Sequence, residues 1–125
     1  QRQMCIRDRG IEMADKETLK KRLEAANFIS NNGRVLRTIN VLRYKYNELK
    51  SVETVLEMDG VEKWEFLDCI NYLTEEKYIR LRDIATRNEV LELSQDVNYR
   101  NLEAKLTSKG IKLLARNIVD DMIEV

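Results

Sequence analysis

Chemistry first needs side chains that can do it, and this chain carries few in workable combinations. It has no histidine among its 125 residues. Ser–His and Cys–His catalysis and histidine metal sites are therefore excluded. Cys69 sits at helical spacing with Phe66, Ile70 and Leu73, where a thiol reads as a small buried hydrophobe rather than a nucleophile. No glycine loop of either common phosphate-cradling type occurs. Acid pairs such as Glu75-Glu76 and Asp120-Asp121 lie in charge-rich stretches and read as solvated faces. We expect no enzymatic activity, no cofactor and no metal. The residues that remain are arginines. Arg80 and Arg82 are two apart in an alternating stretch, so both project from one face of a strand. Arg87 and Arg100 follow at its far end. Such arginines suit phosphate tracking or insertion into a minor groove. A charged edge that keeps a sheet soluble is the alternative.

Elements must position those residues, and composition sets their kind. The chain is 43% hydrophobic and 35% charged, with no proline and only four glycines. One domain with a single modest core and mostly helical segments follows. No apolar run is long enough to span a membrane, and two cysteines make no disulfide framework. A reducing cytoplasm is the natural setting. The 22 basic and 22 acidic residues balance, so net charge does not advertise nucleic-acid binding. Their distribution is uneven. Nine basic residues between Lys16 and Lys50 face only Glu17, Glu24 and Glu48, whereas from Ser51 to Glu76 eight acids face Lys63 alone.

Residues 1–12 are set aside. QRQMCIRD, Gln1 to Asp8, resembles the in-frame translation of a sequencing-library adapter, and we expect this leader to be disordered. A first helix is predicted over 13–32, with Leu19, Leu23, Ala26 and Ile29 on one face, ended by Asn31-Asn32-Gly33 as a C-cap. A second runs from about Arg34 to Tyr46, bearing Val35, Ile39, Leu42 and Tyr46. Ser51 is predicted to cap a short third helix carrying Val52, Val55, Leu56 and Met58, which stops at Asp59-Gly60. A fourth spans about Val61 to Glu76. Tyr78 to Arg82 then alternates with period two and reads as a strand with Ile79 and Leu81 inward. Val90 to Leu93 is ambiguous, and Gln95 to Asn101 reads as loop. Leu102 to Leu106 is a second strand that pairs antiparallel with the first. Thr107 or Ser108 caps a last helix to about Arg116, and 118–125 is a mixed acidic and apolar tail.

That order of elements resembles a winged helix-turn-helix with an added N-terminal helix: mainly α, with a small antiparallel β-hairpin. EFLDCINYLTEEKYIRLRD is similar to the third helix and first wing strand of that family, LEAKLTSKGIKLL to the second wing strand and exit helix, and RVLRTINVL to the opening helix. The layout resembles small winged-helix proteins of Mu-like transposable prophages, over about Gly33 to Arg116, with the domain placed at 33–117. The resemblance implies binding of double-stranded DNA as a transcriptional regulator or accessory, with the helix from Val61 to Glu76 entering the major groove. Its exposed positions would be Glu62, Lys63, Glu65, Asp68, Asn71 and Tyr72. Asn71 could read adenine, Lys63 could meet guanine or phosphate, and Tyr72 could bond phosphate. Arg80, Arg82, Arg87 and Arg100 would serve the wing. Glu65 and Asp68 depart from that pattern, because carboxylates repel phosphates. A module binding a basic protein partner through the acidic 51–76 surface is the rival reading. Trp64 is expected to pack inward on account of its apolar area. The resemblance also implies a homodimer paired through Leu19, Leu23, Ala26 and Ile29, where packing within one chain is the alternative.

Overall fold

The computed structural model describes residues 2–93 and 98–125, with side chains from residue 16 onward. Helix α1 (Arg2–Asn40) leads to strand β1 (Asn47–Glu48), helices α2 (Leu49–Met58) and α3 (Lys63–Glu75), and strands β2 (Ile79–Asp83) and β3 (Glu89–Val90). Strand β4 (Leu102–Leu106) and helix α4 (Ser108–Leu114) complete the elements. The fold is mainly helical with one small antiparallel sheet, in the order β1-β4-β2-β3. Among the described residues no helix is long and apolar enough to cross a membrane.

The largest correction concerns α1. Asn31-Asn32-Gly33 does not end a helix, because α1 runs unbroken for 39 residues, about 58 Å at the α-helical rise. The expected second helix is its continuation and stops at Asn40 rather than Tyr46. All three residues of the supposed cap are buried, since the C-terminal tail crosses the helix there. The Asn32 side-chain amide donates to the Met122 carbonyl at 2.9 Å, and the Glu124 N–H donates to the Ile29 carbonyl at 3.1 Å. A Cβ on residue 33 would stand 1.8 Å from the Glu124 carbonyl oxygen. Glycine is required here for close backbone approach, not for a left-handed turn. The helix backbone also continues through residues 2–12, where we expected disorder.

The strand expectations fare better. β2 and β4 pair antiparallel from Ile79 with Leu106 to Asp83 with Leu102, and Ile79 and Leu81 are buried as their alternation requires. Two short edges escaped the reading. β1 joins β4 through Asn47 with Ala104, and β3 joins β2 through Leu81 with Val90. Of the ambiguous Val90–Leu93, only Val90 is strand. The loop expected over Gln95–Asn101 lies partly outside the described residues, and 99–101 form a 3-10 turn whose Asn98 cap accepts from the Arg100 N–H at 3.0 Å.

Helix ends follow local chemistry. α2 begins at Leu49, so Ser51 lies inside its first turn and does not cap it. Val52 and Leu56 face the core while Val55 and Met58 face solvent. Its end at Asp59-Gly60 is as expected, with Gly60 at φ +88°. Thr107 caps α4, its hydroxyl accepting from the Gly110 N–H at 3.2 Å. The core gathers Val35, Leu36 and Ile39 of α1, Leu49, Val52 and Leu56 of α2, and Phe66, Cys69, Ile70 and Leu73 of α3. Beneath the sheet it adds Leu81, Leu102, Ala104 and Leu106.

Candidate macromolecular interface

Helical phase decides what α3 offers to a partner. With Phe66, Cys69, Ile70 and Leu73 fully buried, the opposite side presents Glu62, Lys63, Trp64, Asp68 and Glu75 in solvent. Trp64 therefore does not pack inward, and 57% of its surface is exposed. It stands two residues before Phe66, about 200° around the helix, so burying one exposes the other. Its indole N–H donates to a Glu62 carboxylate oxygen at 2.7 Å. Glu65 is half-buried and already engaged, accepting from the Glu62 backbone N–H at 3.0 Å and from the Asn31 amide at 3.4 Å. Burial pushes the Asp68 carboxyl upward. Burial, with Asp68 and Glu65 adding negative charge nearby, pushes the Cys69 thiol up to about 12, so the thiolate that nucleophilic chemistry needs does not form near neutral pH.

Of the candidate DNA contacts, Lys63 and Arg100 come together at the Tyr99 ring, 5.7 and 5.9 Å from its centre. Lys63 is exposed. Asn71 is half-buried. Tyr72 is not free for phosphate, because its hydroxyl donates to Asp120 at 3.1 Å and its ring meets Phe28 edge-on, centroids 5.5 Å apart. Burial and then the Asp120 hydrogen bond raise the Tyr72 phenol to about 12. Asp120 is likewise no solvated acid. Tyr78 donates to it at 2.7 Å and the Met122 N–H at 2.8 Å. Burial alone would raise its carboxyl, but these hydrogen bonds outweigh that and hold it below its usual value.

On the outer face of the sheet the arginines part ways. Arg82 is neutralised within the fold. Its guanidinium meets Glu103 at 2.6 Å through Nε and 2.5 Å through a terminal nitrogen, and lies 3.7 Å from the centre of the Tyr46 ring. Strand register explains this, since Arg82 is opposite Glu103 on one side and Glu89 on the other. Glu48 extends the same row from β1, so carboxylates outnumber the single cation. Arg80 is exposed and faces Lys105 across the strands. Arg87 is exposed in the β2–β3 turn at φ +65°. The Asp83 side chain braces that turn by accepting from the Ala85 and Thr86 N–H groups at 2.9 and 3.0 Å. Arg100 precedes Asn101, whose carbonyl accepts from the Ile84 N–H at 2.9 Å at the start of this turn. The Arg100 guanidinium lies 5.9 Å from the Tyr99 ring, and the Tyr99 hydroxyl donates to both Glu53 oxygens at 2.8 Å, which ties the segment to α2.

Among the described residues, two of the surface grooves are large and partly apolar. One, of about 380 Å³, lies where α1, α3 and the tail meet and is lined by Glu24, Ala25, Phe28, Trp64, Asp68 and Met122, with Asn31 and Glu65. The other, of about 520 Å³, lies between the end of α1 and α2, with Arg34, Arg37, Val41, Leu42 and Val55 in its walls. Of the candidate dimer contacts, Leu19 and Leu23 are 55% and 64% exposed, Ala26 is exposed and Ile29 half-buried. Sequence reasoning missed Asp120 and the groove itself. Both depend on contacts between distant residues, Asp120 with Tyr72 and Tyr78 across 48 and 42 positions and Asn31 with Glu65 across 34, and no local pattern marks them. Among the described residues no cluster of acids and cysteine could hold a metal ion. Comparison with protein-family models, with curated proteins and with solved structures finds no match to this chain.

Proposed function

We propose that this chain is a small non-enzymatic module of winged-helix type that binds a basic protein partner through the outward face of α3. The order α1, β1, α2, α3, then a β2–β4 hairpin with β1 added at its edge supports the winged-helix reading. One observation carries the choice of partner. The face that would enter a major groove presents Glu62, Asp68 and Glu75 in solvent with Glu65 beside them, against Lys63 alone. Each carboxylate brought to about 4 Å from a phosphate costs roughly 1 kcal/mol even in water. One of the two strand arginines that could offset that, Arg82, is held by Glu103. The same surface attracts cations.

DNA binding, with a regulatory role, is the second reading. Arg80 and Lys105 favour it, opposite one another on the sheet's outer face with no carboxylate bonded to either among the described residues. A homodimer joined through Leu19, Leu23 and Ala26 is compatible with both readings, because residues 16–27 are exposed all round. Parallel titrations of one protein sample against labelled duplex DNA and a labelled basic polypeptide separate the two. Saturable, salt-sensitive binding of the polypeptide alone is the expected result. DNA binding whose logarithmic affinity falls by about 0.9 per phosphate contact with the logarithm of salt, and which Arg80→Ala weakens, would establish the second reading instead.

A further inference from the structure

The groove between α1 and α3 has a floor and a rim of different chemistry. Phe28 and Ala25 from α1, Trp64 from α3 and Met122 from the tail make the floor apolar, while Glu24, Glu65 and Asp68 supply carboxylates. Among the described residues no lysine or arginine lines it. We propose that this groove seats an arginine or lysine side chain of the protein partner, flanked there by apolar residues. The inference rests on the protein-partner reading and adds the place and chemistry of the contact.

Three features argue for that occupant. Trp64 exposes its ring, while the bond to Glu62 satisfies its one polar hydrogen, which leaves a π face to attract a cation. Glu65 is held in place by Asn31 and by its own helix end, so its charge is fixed beside the groove before any partner arrives. Asp68 is exposed and has no cation or hydrogen-bond donor bonded to it among the described residues, so its carboxylate is open to an incoming cation. A purely polar cation would leave Phe28 and Met122 uncovered. A basic residue with apolar neighbours covers both.

The chain has a single tryptophan, so its emission reports this groove directly. The probes are a labelled leucine-flanked arginine peptide and its twin with citrulline in place of arginine, which keeps shape and removes charge. The arginine peptide should shift Trp64 emission saturably at low salt. The citrulline peptide should bind at least tenfold more weakly, and Asp68→Asn should weaken the arginine peptide by about tenfold. Glu57→Gln, an exposed α2 acid outside the groove, should leave binding unchanged. Circular dichroism confirms folding of each variant. Equal affinity for the two peptides, or indifference to Asp68→Asn, would overturn the proposal. If the arginine peptide binds without moving Trp64 emission, the groove is wrong while the protein-partner reading stands. If neither peptide binds and duplex DNA does, both are wrong.

Discussion

The outward face of α3 and the outer face of the sheet carry similar numbers of charges, yet they offer a partner different things. On the sheet, Arg82 lies between Glu103 and Glu89 across the strands and stacks on Tyr46. Its charge is met within the fold. On α3, Asp68 and Glu75 project into solvent with no cation bonded to either carboxylate among the described residues, the nearby Lys109 ammonium going to the Glu76 carbonyl instead. A short strand brings opposite charges face to face by register, whereas a helix flank leaves its charges to solvent. Counting arginines on a wing therefore overstates what it can give to phosphate.

The most severe way to break this comparison is to remove the core beneath it. Leu73 is fully buried, so Leu73→Ala should destabilise the fold by about 2–5 kcal/mol in denaturant titration, and both faces should lose definition together. Gly33→Ala comes next. A Cβ there collides with the Glu124 backbone, and overpacking of this kind costs about 1–3 kcal/mol. Hydrogen exchange should show the tail released while β2 and β4 stay protected.

Asp120→Asn tests the other anchor of the tail. The folded carboxyl is held below its unfolded value, so the anchor stabilises above the unfolded pKa, about 3.9, and weakens as pH falls through the lower folded value. Loss of a hydrogen-bonded charge should cost about 1–3 kcal/mol at neutral pH. A thermal unfolding series should also show a flatter loss of stability below about pH 4 than in the parent.

Smallest, and most telling for the comparison, is the arginine pair. Arg82→Ala should destabilise by about 1 kcal/mol, since its partner is only partly buried. Arg80→Ala should stay within about 0.5 kcal/mol of the parent. Equal effects would mean that the two arginines are equally free, and the contrast between the faces would fail.

What could be read from the sequence divides along the same lines. Alternation at Tyr78–Arg82 and Leu102–Leu106 exposed the hairpin, and Phe66, Cys69, Ile70 and Leu73 revealed the inner face of α3, because both patterns are local. Asn31-Asn32-Gly33 misled because a C-cap and a site of close approach need the same small or amide side chains, and the approaching segment lies some 90 positions away. Trp64 misled because its apolar area outweighed the helical phase that Phe66 had already fixed. The pairing of Arg82 with Glu103 lay within reach, since it follows once the two strands are set in register. β1 and β3 are two residues each, too short for any period to appear.

One measurement addresses the central claim most directly: an amide chemical-shift map of the labelled protein, recorded with the leucine-flanked arginine peptide and separately with duplex DNA. The peptide should move amides of α3 and of residues 24–31, and DNA should leave the spectrum unchanged. Peptide-silent α3 amides, with DNA moving residues 80–90 and 105, would contradict the account.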